Sequence, residues 1–524
     1  MKYIYRLIVA ALFVTVSATS FYSCETVEME LLASPNALSS DQADPDLLLN
    51  SIQLSYRGSQ RTFSNNSGDL GRISYMGGRQ YLDNYGDGTL NGAWNSFYSN
   101  NQPNLLALEK ISEANPDRDL SYHLGVAKTL QAHTLMQLVD YLGDIPWSEA
   151  NNSAEFPKPS VDDDASVYDA AIAYLSEAAG HFASGAGIGT GTDFFYDGDA
   201  GKWSKLVKTL QMRANLTVGN YAAVASATGV IESTADDFQF TWGTSEATPD
   251  TRHPLYRGNY SATGGGEYMS NWLMFKMLNG HSNNSDPRLN YYFYRQVGET
   301  PGFDSAANEE VLECGLEGYY VPPQYRNDTT PFCAPTNSAS KPAGGYWGRD
   351  HGNDNGTPPD GFLRTLRGVY PAGGVFDDRS FEGQVAGAGL AGEGITPVML
   401  SSWMHFMNAE VAVSTGGDPT TETLEALTQA LNKADDLGGP SLSSDDVAAY
   451  VAAFTADWNA AGSTADKLDM WATEYFISMV GNGVDAYNSY RRNGYPRDIQ
   501  PNVEPSPGSF PLSQFYPANY VNTN

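Results

Sequence analysis

From Leu120 to Leu142, apolar residues recur at Leu124, Ala127, Leu130, Thr134 and Leu138, with a second stripe at Leu135, Val139 and Leu142. Steps of three and four on two faces predict a helix buried between neighbours. A second helical run carries Val167, Ala171, Tyr174, Ala178 and Phe182 on one side. A third begins after Asp199, with Trp203, Leu206, Leu210, Arg213 and Leu216 in register. Consecutive amphipathic helices joined by short turns pack as antiparallel pairs.

The stretch from Asp236 to Pro397 has a different texture, dense in Gly, Pro, Asn and Tyr with only short periodic runs. It is too long for one loop of a compact domain, and it reads as an irregular lobe laid over the helices. Helical periodicity returns near Met399 and continues with breaks to Gly481, where Leu468, Trp471, Tyr475 and Met479 form one face of the last long helix. The tail after Tyr495 is punctuated by proline and reads as surface. Helix pairs at both ends are compatible with degenerate repeats of a helix–turn–helix unit.

The N-terminus has a separate logic. Lys2 and Arg6 precede an apolar run from Leu7 to Val16, and small and polar residues lead to Ser23 and Cys24. That run falls well short of the roughly 20 residues a membrane-spanning helix needs, so residues 1–23 read as a secretory leader. A cysteine at the junction points to cleavage that leaves Cys24 as a lipid-bearing N-terminus. The alternative is ordinary secretion with an incidental cysteine. The expected organisation is then a leader at 1–23, a flexible tether at 24–40 and one domain at 41–524. Within that domain the helical scaffold covers about 41–235 and 399–495, and the irregular lobe about 236–398.

Charge removes some partners. The chain has 61 acidic against 30 basic residues, a formal net charge of −31 that becomes −33 once Lys2 and Arg6 leave with the leader. Such a body repels nucleic acid and anionic lipid surfaces, so membrane contact is expected through the N-terminal lipid alone. Beyond Cys24 stand only Cys314 and Cys333. In an oxidising compartment these are expected to form a disulfide closing a loop of about twenty residues, worth about 3 kcal/mol. Two free thiols are the alternative, and a two-thiolate metal site lacks a histidine at ligand spacing.

Common catalytic signatures are missing: there is no HExxH, no GxSxG and no Walker loop. Paired carboxylates for sugar hydrolysis are not tested this way, because chance pairs are easy among 61 acids. The loop Asp350–Gly356 offers Asp350, Asn353 and Asp354 as hard oxygen ligands for Ca²⁺. Gly352 sits where a further ligand belongs, and a polar turn rich in Asx residues is the plainer reading, so no cofactor is expected. Sugar binding needs aromatic faces beside polar groups. Candidates are Arg79, Tyr81 and Trp94 near the N-terminal end, with Tyr256, Tyr260, Trp272, Tyr346 and Trp347 from the irregular stretch. Each has a packing alternative, and Trp94 with Tyr98 at i and i+4 looks like core.

Several blocks together resemble a known family. Asp140-Tyr141-Leu142-Gly143-Asp144-Ile145-Pro146-Trp147 is similar to the helix-plus-GDIP turn of the SusD/RagB nutrient-binding outer-membrane lipoproteins. Tyr196-Asp197-Gly198-Asp199 followed by Leu210-Gln211-Met212-Arg213, then Asp286-Pro287-Arg288-Leu289, Tyr370-Pro371-Ala372-Gly373-Gly374 and Tyr490-Arg491-Arg492-Asn493-Gly494-Tyr495-Pro496 follow in family order. Glu25, Glu28 and Glu30 resemble the surface-export signal of such lipoproteins. The resemblance implies a mostly α fold of tetratricopeptide-like helix pairs with an irregular, loop-rich ligand-binding lobe. It also implies a non-enzymatic, lipid-anchored protein on the bacterial outer membrane, exposed at the cell surface. Such a protein captures glycan or oligosaccharide and covers a SusC-like TonB-dependent transporter. A peptide-capturing member of the family, a surface glycan hydrolase and a purely structural transporter subunit are the alternatives. The shared motifs themselves look structural, and no ligand residue carries over from them.

Overall fold

Asp44 starts the first helix by accepting the Asp46 N–H, Pro45 supplies a preset φ, and α1 runs Pro45–Leu70. Its buried face mixes Leu49, Ile52, Tyr56 and Phe63 with Gln53, Ser59, Gln60 and Ser67. These polar groups find partners inside: the Gln60 amide donates to Gln137 Oε1 at 2.6 Å, and the Phe194 N–H donates to Gln53 Oε1 at 2.8 Å. Polar side chains buried through hydrogen bonds interrupt the apolar stripe between Tyr56 and Phe63, which is why the helix was not read from apolar periodicity. In this computed structural model the described residues are 43–184, 193–282, 284–298, 345–354 and 360–522. The leader 1–23, Cys24, the tether 24–40 and the pair Cys314 and Cys333 lie outside them.

Then come α2 (Gln102–Ala114), α3 (Ser121–Leu142), α4 (Asp164–Ala183) and α5 (Ala200–Thr217). The last three occupy the spans read from periodicity. Helix α3 is buried along nearly its whole length because α1, α2, α4 and α5 all pack on it. It stops at Gly143, whose φ of +78° few other residues adopt cheaply. Asp163 and Asp199 then cap α4 and α5.

The irregular part holds short helices, among them α6 (Pro254–Asn259) and α7 (Asn271–Asn279), a single helical turn at Leu289–Tyr292, and two small antiparallel sheets. Strand β1 (Phe238–Thr241) pairs with β4 (Ile395–Met399), with Thr241 opposite Ile395. Strand β2 (Phe293–Tyr294) pairs with β3 (Leu366–Arg367). Helices resume as α8 (Ser401–Ser414), α9 (Thr420–Asn432), α10 (Ser444–Ala460), α11 (Thr464–Ser478) and α12 (Val484–Asn493). Helix α12 returns to pack on α1, so both ends of the described chain share one core.

Two buried charge networks sew these parts together, and the sequence blocks quoted above supply Asp140, Arg213, Asp286 and Arg288 to them. Arg213 on α5 reaches Asp140 on α3 and Asp485 on α12, each at 2.7 Å, while Asn488 donates to Asp140 at 3.0 Å. In the second network Arg288 holds Asp286 and Glu474, all three fully buried. His281 and the Tyr450 hydroxyl each reach Glu474 at 2.9 Å. Arg492 forks onto Glu410 at 2.9 Å, and Arg491 donates to the Leu512 carbonyl at 2.8 Å, fixing the C-terminal segment. The GDIP turn is equally structural: Asp162 accepts the Trp147 N–H at 2.7 Å and the Tyr98 hydroxyl donates to the Pro146 carbonyl at 2.6 Å.

Candidate ligand-binding site

The segment just after α1 meets the irregular lobe through Tyr75, Arg79 and Tyr81. Tyr75 donates its hydroxyl to the Asn353 carbonyl, and its ring meets Tyr268 edge-on at 5.8 Å. Tyr268 is the centre of a cationic cluster, with the Arg364 and Arg349 guanidinium carbons 3.8 and 4.2 Å from its ring centroid. Its hydroxyl donates to Asp360 at 2.6 Å, and Arg364 donates to the other oxygen of the same carboxylate at 2.6 Å. Burial and the Asp360 charge together push the Tyr268 phenol up, so it stays a neutral donor. Trp347 lies beneath, its backbone N–H donating to Thr365 Oγ1 at 2.6 Å.

The outer edge of this patch faces water. Arg79 and Asp354 form an ion pair with side chains 53% and 39% exposed, and Phe362 is 45% exposed. An exposed pair of this kind contributes only about 0–1 kcal/mol, so its groups can exchange partners with ligand hydroxyls at small cost. The loop beneath is closely packed. Gly352 has φ +83°, and a Cβ there would meet Asn502 Oδ1 at 2.0 Å, while Asn502 donates to the Arg79 carbonyl at 3.0 Å.

Of the eight sugar-binding candidates, Arg79 alone presents an exposed head here. Tyr81 is buried against Phe510 and His351 and accepts from Arg72 at 3.1 Å. Trp94 is buried with its ring 4.4 Å from Tyr98. Tyr256 and Tyr260 stack on each other at 4.3 Å and donate to the carbonyls of Ala388 and Arg367. Trp272 is fully buried and donates to the Asp498 carbonyl at 3.1 Å. Tyr346 is buried under Arg295, and Trp347 is 1% exposed. These seven rings therefore pack within the chain and offer no open face, because large apolar area is worth more inside than out. Tyr75, Tyr268, Arg349, Arg364 and Phe362 did not stand out in the sequence, since only tertiary folding brings them together.

The three calcium candidates are engaged with protein partners. Asp350 Oδ1 accepts from the amides of Asn271 at 3.1 Å and Gln500 at 2.7 Å, and burial pushes its carboxyl up. The Asn353 carbonyl serves Tyr75, and Asp354 faces Arg79. Among the described residues, a three-carboxylate group able to hold an ion occurs elsewhere, at exposed Asp144, Asp163 and Asp164.

With helices, lobe and patch in place, the comparisons with known proteins become decisive. A SusD-like family model, described as starch-binding and associating with the outer membrane, matches residues 35–319, more than half of the chain. The chain belongs to this SusD-like family. Solved structures show the same fold at low identity. A chitin-binding protein matches at 19% identity and TM-score 0.61, covering 92% of this chain and 94% of its own. A SusD/RagB family protein from Bacteroides thetaiotaomicron matches at 19% identity and TM-score 0.62 with the same coverage. A SusD homologue from Bacteroides fragilis gives 16% identity and TM-score 0.60, again covering 92% and 94%. No curated protein matches the sequence significantly. Like the family, this SusD-like chain is mostly α-helical and belongs among outer-membrane nutrient-binding proteins. Among its described residues no helix is long and apolar enough to cross a membrane.

Proposed function

We propose that this chain captures oligosaccharide at the outer surface of the cell and covers a SusC-like TonB-dependent transporter, without cleaving what it binds. Family membership carries the reading. The patch supplies suitable chemistry: Phe362 offers an exposed aromatic face, and the Arg79–Asp354 pair offers donors and acceptors for hydroxyls. Cys24 would hold the body to the membrane by lipid, leaving it free to swing beside its transporter.

The test is a binding panel with the purified leaderless chain: neutral oligosaccharides from starch and chitin, and short peptides, read by calorimetry and product chromatography. Glycan binding without shortened products is expected, weakened about tenfold or more by Arg79→Ala with Phe362→Ala. Shortened products would make it a hydrolase, and peptide binding alone would select the peptide-capturing alternative. Retention of the Cys24→Ala chain in the membrane fraction would contradict the lipid anchor. Failure to co-purify a TonB-dependent transporter from membranes would remove the covering role.

A further inference from the structure

A second cavity lies away from the patch and shares no lining residue with it. It has a volume of about 590 Å³ and is lined by Arg57 and Arg61 from α1, Trp242 just after β1, Arg257 from α6, Asp250, and Thr396 of β4 among others. That volume is about twenty times the share of one water molecule and falls inside the roughly 300–1,000 Å³ range of small-ligand sites. It holds far more than a lone ion.

Its charge opposes that of the molecule. In a chain of net charge −31, three arginines converge on one hollow. Arg57 and Arg61 stand one turn apart on α1, so both heads point the same way. Neither guanidinium has a hydrogen-bond acceptor or a carboxylate within ion-pair distance among the described residues. Arg57 instead lies over the rings of Trp242 and Phe240, 4.7 and 5.3 Å from their centroids. Rings hold the flat face of a guanidinium and leave its N–H edge free. The one lining carboxylate, Asp250, is already taken by Arg252, which forks onto it at 3.1 and 2.9 Å, and Arg257 stands 3.7 Å from it. Burial and then the charges of Arg257 and Arg61 lower the Arg57 pKa, the sign of a cation whose counter-charge is missing.

The remaining lining sorts among anions. Thr62, Ser64, Asn65 and Thr396 bring hydroxyls and an amide, while Trp242, Pro254 and Leu255 bring apolar surface. A bare anion uses only the arginines. A sugar ring carrying a carboxylate uses all three groups: a planar carboxylate on the guanidinium edge, hydroxyls on the polar side chains, and ring C–H on the apolar wall.

We infer that this cavity is a second ligand subsite, built to take the carboxylate-bearing ring of an acidic saccharide such as a uronate. The assignment rests on the capture function and narrows its ligand class. The cationic hollow also draws an acidic oligosaccharide toward a surface that otherwise repels it.

The experiment is calorimetry on the leaderless chain with trigalacturonate, a neutral oligosaccharide bound at the patch, and inorganic sulfate. Arg61→Gln and Arg257→Gln change exposed side chains and leave the Arg57 packing intact. Each is expected to weaken trigalacturonate at least fivefold, and the pair at least twentyfold, with no change in neutral-glycan binding. Wild-type affinity for trigalacturonate should fall steeply between 50 and 500 mM NaCl. Undiminished trigalacturonate binding in the double variant overturns the assignment. So does wild-type chain that binds neutral glycan but no trigalacturonate, an outcome that leaves the capture function standing. Sulfate bound as tightly as trigalacturonate reduces the cavity to a simple anion site and also overturns it. Wild-type chain that binds no saccharide at all removes both readings together.

Discussion

Glu474→Gln isolates the energy held in the buried Arg288 network. Glu474 is fully buried, and burial alone would raise its carboxyl, yet Arg288 and His281 hold it down from the ordinary 4.5 to about 2. Its partner Asp286 goes the other way, raised by burial and by the Glu474 charge beside it against the pull of Arg288. Removing one partner from a fully buried ion pair of this kind costs about 3–5 kcal/mol. Since no solvent reaches the group, screening does not reduce it. Glutamine keeps the shape and removes the charge, and it leaves Arg288 wholly to Asp286, which returns part of the loss. The expected cost at pH 7 is about 2–3 kcal/mol. For a 524-residue chain at roughly 2.1 cal/mol/K per residue, this lowers Tm by about 2–3 °C. The sign with pH follows. A depressed carboxylate stabilises fully above its unfolded pKa, and that stability is lost as pH falls from 4.5 towards 2, so the variant's deficit must shrink over that window. Urea unfolding followed by tryptophan fluorescence at pH 7, 5, 4 and 3 measures it. A cost below about 1 kcal/mol at pH 7, or one unchanged at pH 3, would refute the reasoning. Arg497→Gln is the control: its pairs with Asp466 and Asp469 face solvent, so no measurable change in stability is expected.

Three further outcomes are expected. Arg213→Met leaves Asp140 and Asp485 buried without their cation and should cost about 3–5 kcal/mol by urea unfolding, with Asp140→Asn in the same background recovering part of it. His133 is held neutral, down to about 3, by burial and then by Arg213, so stability is lost as pH falls from about 6.5 towards 3; His133→Gln should flatten that slope by about 1.4 kcal/mol per pH unit. Gly352→Ala forces a Cβ against Asn502 at a φ of +83°, and should cost about 1–3 kcal/mol in unfolding assays and weaken glycan binding through the displaced Arg79.

Much of the helical framework was legible because it is local. The stripes around Leu130, Ala171 and Leu210 repeat every three or four residues, and burial of one helix face requires nothing more. Helix α1 was harder to see, since Gln53, Gln60 and Ser67 are buried through hydrogen bonds that no hydropathy pattern encodes. The quoted sequence blocks mattered for a reason their spacing conceals. Asp140 and Arg213 come from two of them, lie far apart along the chain, and meet with Asp485 as one ionic knot.

The aromatic residues mark the boundary between the two kinds of information. By itself the sequence determined much of the helical framework, the acidic balance and the ordered motifs that resemble the family, because each depends on neighbours a few residues away or on simple order. It also supplied abundant tyrosine and tryptophan, but a ring suited to stacking on sugar is equally suited to a core. Only the tertiary structure decided which: Tyr256, Tyr260, Trp272 and Trp347 went inside, while Phe362 and the Arg79–Asp354 pair stayed at the surface. It likewise gathered Arg57, Arg61 and Arg257 around one hollow, although the last stands 200 residues from the first. Exposure and convergence depend on what distant segments cover, and that is settled when the chain packs.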